Sequence, residues 1–493
     1  MSALLDPSGT TSARWSARQR LVLVLLLTAS FTLAIDFSIL NVALPVIGAD
    51  VGFRLESLQW VATTFALCAA GFTLLFGRVA DLVGRKRLFL LGMAVLGVGS
   101  LLGGIAQDPA LLLTARVLQG LATAAVTPAA LSLLTTSFPE GPQRERALGL
   151  NGSLMAAGFT TGAVLGGLLT DLLSWRWAFF LNVPVVLAVL VLGPRLLTEG
   201  TRVRGTRLDV PGAVSVTGAL LLLVLGATRI GEAGVHDLLA WAALGGGLVL
   251  GAVFLVVEGA SPNPLVPLGI LRRRAVLAGN LAGILAFATE TSLVFLLTLY
   301  LQEVQGFSPL QAGLSFAVLG AGTVLGGMLA PRVIAAGSPR TAIVAGLLVQ
   351  AAATAALLLL GTSQASVGLL LVATFVGGVA NLVAIVGFMV SATSGLPDTE
   401  QGLATGLANM STQVGITLGI PVMATVLAAV LGGSTGSGAG LLHADLLHAV
   451  RVAVGVNVAL CLLAVLVVLA LLRPRLSDRR SPRASAARRT SPR

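Results

Sequence analysis

The chain is poor in charge. Asp, Glu, Lys and Arg make up 10% of its 493 residues, against about 25% in an ordinary soluble domain. A soluble protein with so little charge could not cover its surface, so a soluble enzyme is excluded. Only two cysteines are present, Cys68 and Cys461, both inside apolar runs. They read as small core residues, which excludes a secreted disulfide scaffold. Aromatics are few (5%), with one tyrosine, three histidines and a single lysine, Lys86. No G-x-x-x-x-G-K-[ST] surrounds that lysine, so ATP hydrolysis on a P-loop is ruled out. H-E-x-x-H and G-x-S-x-G are also missing. His443-x-Asp445-x-x-His448 is expected in an exposed loop and is not read as a metal site. No cofactor and no metal are expected.

What is abundant is apolar. The apolar set is 56% of the chain, with 59 glycines besides. A disordered chain does not look like this. A membrane-spanning helix takes about 20 such residues, and apolar runs recur between short polar clusters. Fourteen are read: 21–45, 58–76, 88–106, 110–137, 147–170, 176–196, 209–228, 237–257, 276–300, 309–330, 341–361, 366–391, 403–430 and 448–472. The first follows Arg14, Arg18 and Arg20, but thirteen more runs and the lack of an A-x-A site favour a first span over a signal peptide. The expected fold class is all-α integral membrane, with 14 transmembrane helices.

Loop charge orients the chain. With the N-terminus placed in the cytoplasm, 26 of the 31 Lys and Arg fall on the cytoplasmic side. Only Arg54, Arg176, Arg229 and Arg451 fall outside, and Arg116 lies within a span. So large a bias supports an even span number with both termini cytoplasmic. Trp60, Trp175, Trp177, Trp241 and Tyr300 fall at expected outer ends, where amphipathic rings settle at headgroup level. The tail with Arg479, Arg480, Arg483, Arg488 and Arg489 is expected to be disordered and to touch anionic lipid rather than nucleic acid. Residues 77–81 (Gly-Arg-Val-Ala-Asp) have a counterpart at 327–331 (Gly-Met-Leu-Ala-Pro). The offset suggests two six-helix halves, a transporter habit. The expected organisation is a cytoplasmic tail 1–20, an N-terminal half 21–196, a linker 197–275 with two extra spans, a C-terminal half 276–472 and a basic tail 473–493.

Charges inside spans are the sharpest signal, since each is costly in lipid unless paired or hydrated. There are three: Asp36 in span 1, Arg116 in span 4 and Glu290 in span 9. Helical rise puts them about 13, 9 and 15 Å from the outer ends of their spans. They are therefore expected in one layer, together around a wetted pocket. Burial favours a protonated carboxyl and a guanidinium favours an ionised one, so a carboxylate between the two can trade protons as the conformation changes. The expected roles are proton and cation site for Asp36, its charge partner for Arg116 and second acidic site for Glu290. With both acids ionised the trio is net negative, which suits a cationic or amphipathic ligand. One pH unit supplies about 1.36 kcal/mol per proton, enough to help drive uphill export.

Two further motifs stand out. Gly77, Arg78, Asp81, Gly84, Arg85, Lys86 and Arg87 form a basic, glycine-bearing inner loop, read as a gate. The inner loop 392–402 lacks basic residues and carries Asp398 and Glu400, so the two loops are expected to latch when the cavity faces outward. Gly158, Gly162, Gly166 and Gly167 in span 5 stack small residues on one helix face, a helix-packing motif.

Together these residues resemble the major facilitator superfamily, in particular the fourteen-span drug:proton antiporters of the EmrB/QacA type. Gly77–Arg87 is similar to the loop signature G-x-L-A-D-x-x-G-R-K, with Val79 in place of Leu. Asp36 through Asn41 to Pro45, Arg116 with Gln119 and Gly120, and Trp175 through Asn182 to Pro184 resemble further signatures, as does the stretch from Tyr300 and Gln302 to Ser308, Pro309 and Gly313. One departure is Ala163 after Gly162, where the antiporter signature carries proline. The resemblance implies two rocking halves around a central cavity lined by spans 1, 4, 9 and 12, the last offering Asn381. It implies a proton-coupled secondary transporter that exports small amphipathic or cationic compounds by alternating access, as in multidrug or antibiotic efflux. The alternatives are a transporter dedicated to one solute and, more distantly, a membrane-embedded enzyme. An Arg-, Ala- and Gly-heavy composition suggests a bacterial plasma membrane.

Overall fold

The computed structural model describes residues 15–53, 57–138, 142–199, 209–234, 236–261, 264, 268–393, 398–431 and 439–472. Of the two tails, residues 1–14 and 473–493 lie outside these residues. The described chain is helical: α1 Ala17–Ile39, α2 Leu44–Val51, α3 Trp60–Val83, α4 Arg85–Gly104, α5 Pro109–Ser137, α6 Pro142–Leu172, α7 Trp177–Phe180, α8 Asn182–Leu196, α9 Val210–Ala233, α10 Leu238–Ala260, α11 Leu268–Leu271, α12 Arg274–Leu299, α13 Pro309–Ala336, α14 Pro339–Ala356, α15 Ala365–Thr393, α16 Asp398–Leu431 and α17 Ala439–Leu471.

Local sequence sets many boundaries. Ser16 and Gln19 form a reciprocal capping box at α1, and Ser308 with Gln311 repeats it at α13. Asp108 before Pro109 caps α5, and Ser338 before Pro339 caps α14, with proline at the first turn, where its missing N–H costs nothing. The run 21–45 is not one helix. It ends at Ile39, turns through residues 40–43 and restarts near Pro45, because proline suits a helix start and not an interior.

Among the described residues, twelve helices are long and apolar enough to cross a membrane. The second and fifth expected spans fall on α3 and α6, which are not among them. In α3 the described stretch Trp60–Thr73 is a shorter apolar helix. Exposed apolar side chains cover the outside of the bundle. On α10, Leu248, Val249 and Val256 are each at least 63% exposed. In water such a surface would be an aggregation hazard; against lipid it is the expected face.

The helices pack in two groups. In the first, α1 lies on α6, α5 on α3 and α4, and α8 on α4. In the second, α12 lies on α16 and α17, and α15 on α13 and α14. The groups meet where α6 packs on α13 and α3 on α16, and α9, backed by α10, wedges against both α3 and α16. Close approach of α6 rests on glycine. A Cβ on Gly162 would come 2.7 Å from the Ile35 carbonyl oxygen of α1, and one on Gly167 would strike the Pro309 carbonyl of α13. Gly158 and Gly166 also abut α1, and Gly313 meets the Ala163 carbonyl, so the helix passes Ala163 unbroken.

One apolar core, running through Ile39, Trp175, Phe295, Tyr300 and Val450, joins the two groups at the Tyr300 end of the bundle. Gln302 ties them there as well, donating to the Val42 carbonyl at 2.6 Å. Toward the Arg85 end, Val22 to Leu33 of α1 pack in a core of the first group, and Ala282 and Ala286 of α12 in a core of the second. Trp177 and Trp241 are about half exposed, as interfacial rings are. Trp175 and Tyr300 are not interfacial. Both are buried, with the indole N–H donating to Asp50 and the phenol to the Gly361 carbonyl. Cys68 and Cys461 are buried and unbridged.

Candidate functional site

The residues proposed for chemistry fall into two places, not one. Asp36 and Arg116 meet inside the first group, each 1% exposed. Their ion pair is long, 3.5 Å from Nη1 to Oδ2. The shorter bonds to the carboxylate come from neutral amides: Gln119 Nε2 donates to Oδ1 at 2.9 Å and Asn182 Nδ2 at 2.6 Å. The Ser100 hydroxyl oxygen accepts from both amides, at 3.1 and 3.0 Å. Arg116 also gives Nη1 to Gln119 at 2.8 Å and Nε to the Val61 carbonyl at 3.0 Å, with its guanidinium 4.2 Å from the centre of the Phe65 ring. Side chains or carbonyls from α1, α3, α4, α5 and α8 thus close one dry network around one acid and one base. Such a network is costly to break, because removing any partner leaves a charge without compensation.

Glu290 does not join that pair. Depth from the helix ends put the three charges in one layer, but depth does not set which way a helix face turns. Glu290 of α12 lines a small cavity walled by α12, α13, α14 and α15, entirely within the second group. Asn381 lies in the same wall, 2% exposed, donating Nδ2 to the Ala286 carbonyl at 3.3 Å and to Gln350 Oε1 at 3.1 Å. Gln350 in turn donates to Thr289 Oγ1 at 3.2 Å, and Asn457 of α17 donates to Ser292 at 3.0 Å. Asn41, at 2% exposure, sits in the turn after α1, and its Nδ2 finds no partner among the described residues.

The two networks use matching helices. Gly77 and Gly327 are 250 residues apart, and so are Ser100 and Gln350. The first network takes side chains from α1, α4, α5 and α8, the second from α12, α14, α15 and α17. Ser100, Gln350 and Asn457 escaped sequence reading because a lone polar residue in an apolar run has no spacing rule. Carrying the Gly77–Gly327 offset along the chain would have found the first two.

The basic gate is not a loop. Gly77 to Val83 form the last turns of α3, Gly84 turns the chain at φ +112°, and Arg85, Lys86 and Arg87 open α4. Only glycine takes that turn without strain. The described partner at this junction is Glu199, whose carboxylate accepts the Lys86 backbone N–H at 3.1 Å, while Lys86 Nζ donates to the Pro194 carbonyl at 2.7 Å. Asp398 and Glu400 stand on the first turn of α16, not in a loop. Their side chains, with those of Arg78 and Asp81, lie outside the described residues. His443, Asp445 and His448 are on α17, also helical and not a loop.

Outside the spans, Asp50 accepts from the Trp175 indole at 2.9 Å and from Arg176 at 2.6 Å. Those two bonds, the indole's first, hold its carboxyl below the usual carboxylate range. Arg229 does the same for Asp237 across 2.8 Å.

The family model described as Major Facilitator Superfamily matches residues 26–420 and 338–493. A cephamycin export protein of Amycolatopsis lactamdurans is 38% identical over 84% of this chain and 86% of its own length. A puromycin resistance protein of Streptomyces alboniger is 38% identical over 80% and 78%. Among solved structures, a POT family transporter, PepTSo, has TM-score 0.67 at 14% identity, covering 93% of this chain and 99% of its own. A bacterial homologue of the lysosomal transporter Spinster, inward-facing and unoccupied, has TM-score 0.64 at 19% identity, covering 95% and 100%.

Proposed function

We propose that this chain, which belongs to the Major Facilitator Superfamily, is a proton-driven exporter of antibiotic-like small molecules. Its relatives include proteins named for cephamycin export and for puromycin, lincomycin and tetracenomycin C resistance. Those names each refer to one compound, whereas a further relative, from Mycobacterium tuberculosis, is named a multidrug resistance protein, so broad efflux and a transporter dedicated to one self-made antibiotic both fit the relatives. In the finer reading the protein is of the fourteen-span EmrB/QacA type, with α3 and α6 crossing the membrane alongside the other twelve. Two six-helix halves rock about the α6–α13 and α3–α16 contacts, and α9 and α10 are the added pair. Both termini face the cytoplasm of a bacterial cell, and the basic tail rests on anionic lipid. Neither ATP nor a cofactor takes part.

The observation that carries proton coupling is the Asp36 network. A carboxylate closed off from water and held by amides more tightly than by its arginine changes energy sharply with each small shift of α1, α5 or α8. Rocking that lengthens the Gln119 and Asn182 bonds favours proton uptake, and closing them favours release. Lengthening and shortening those bonds once per cycle, with access switched between the two sides, is proton antiport. The test is pH-driven accumulation of substrate in inverted membrane vesicles. Asp36→Asn is expected to abolish it while leaving the protein inserted; full retained coupling would refute the role.

A further inference from the structure

The two amides that hold the Asp36 carboxylate differ in what their oxygens do. Gln119 Oε1 accepts from Arg116 Nη1 at 2.8 Å, so its amide has one workable orientation. Turned over, it would aim an N–H at the guanidinium and a carbonyl at the carboxylate. Asn182 is 0% exposed, and its Oδ1 has no partner among the described residues. The two ends of an amide are nearly alike in shape, so this one can turn over in place. Turning exchanges one unmatched atom for another, Nδ2 for Oδ1, and leaves the charge on Asp36 to decide the orientation.

The separations point the same way. Asn182 Nδ2 stands 2.6 Å from Asp36 Oδ1. N–H to oxygen bonds cluster near about 2.9–3.0 Å and O–H to oxygen bonds near about 2.7–2.8 Å. The Gln119 bond keeps the longer spacing, 2.9 Å. The Ser100 hydroxyl lies 3.0 Å from the same Asn182 atom and accepts from both amides, while its own proton has no acceptor among the described residues. Arg116 is the charged partner of Asp36. What the neighbouring helices turn toward the pair is otherwise neutral: Phe65 and the Val61 carbonyl from α3, Ser100 from α4, Gly162 and Gly166 from α6, Asn182 from α8.

We infer that the Asn182 amide turns over when Asp36 takes up a proton. With Asp36 ionised, Nδ2 donates to Asp36 Oδ1 and to Ser100, as the structure shows. With Asp36 protonated, Oδ1 takes that place and accepts the carboxyl O–H from one side and the Ser100 O–H from the other. The proton comes from water on one side of the membrane and returns to water on the other, so the O–H bond at Asp36 forms and then breaks. Arg116 and Gln119 keep their orientation through both states. Asn182 is thus a positioning residue that offers a matched bond to each form of the acid. This rests on the proton-antiport reading and names the group that stabilises both of its states.

The test uses the full-length protein in lipid bilayers and infrared difference spectra through a pH titration, with carbon-13 at the side-chain carbonyl of either asparagine or glutamine. The protonated Asp36 carboxyl band, identified by its loss in Asp36→Asn, is expected to grow as pH falls. An asparagine carbonyl band is expected to shift with the same midpoint, because its oxygen passes from no donor to two. That shift should be lost entirely in Asp36→Asn and in Asn182→Leu, and labelled glutamine should show none. An asparagine band that stays still while the Asp36 carboxyl titrates, or a glutamine band that moves with it, overturns the turning amide. So does an asparagine shift that persists in Asp36→Asn. Where Asn182→Leu fails to fold, the native protein compared with Asp36→Asn still decides. The transport reading is judged apart, by the Asp36-dependent response of vesicle transport to a pH gradient. That response can hold with the amide fixed, or fail while the amide still turns.

Discussion

The two helix groups carry matching polar networks built to opposite ends. Around Asp36 both charged groups have partners: two amides for the carboxylate, and a carbonyl, an amide and an aromatic face for Arg116, although Asn182 Oδ1 finds none among the described residues. Around Glu290 the Asn381 amide donates to Gln350 and Gln350 to Thr289, and neither reaches the acid beside the cavity. One repeated architecture thus holds one acid in a closed set of donors and leaves the other without any among the described residues.

The comparison is broken most forcefully at Arg116. Arg116→Met leaves Asp36 buried without its cation and is expected to cost about 3–5 kcal/mol of stability, read as early thermal unfolding in detergent. Unfolding at the native temperature would mean the pair is not closed off from water. Asn182→Ala removes the shortest bond to Asp36, at 2.6 Å, and is expected to cost about 1.5–3 kcal/mol. Glu290→Gln is the matched control in the second group. With no partner to lose, its unfolding temperature is expected to stay at or above that of the native protein, and a loss as large as Asn182→Ala would erase the contrast. The smallest effect lies at the surface. Asp50 titrates below its unfolded value when folded, so its contacts contribute fully above about pH 4 and are lost as pH falls further. Asp50→Asn should therefore lower stability slightly at neutral pH and converge with the native protein in acid, as pH-dependent melting curves will show.

Much of this was written in the sequence. Hydropathy placed most helices near where they form, because a bilayer leaves the backbone few other choices, although α3 runs on to Val83 and α17 begins already at Ala439, outside the expected spans 58–76 and 448–472. The cost of charge in lipid singled out Asp36, Arg116 and Glu290, and spacing alone marked the glycine face of α6. What spacing does not supply is rotation about a helix axis, which is why Glu290 was grouped with a pair it does not touch. Trp175 and Tyr300 show the same limit. Position along the chain put them at helix ends, but only packing reveals that both turn inward. Gly84 shows another: a basic, glycine-bearing stretch reads as a loop, yet one positive φ is enough to join two helices with almost nothing between them.

The most direct measurement is substrate accumulation in inverted vesicles under an imposed pH gradient, compared across native, Asp36→Asn and Asp36→Glu proteins inserted at equal levels. A titratable acid at position 36 predicts loss of at least about tenfold in the asparagine variant and partial recovery in the glutamate variant. Undiminished accumulation with asparagine at position 36 would contradict the account.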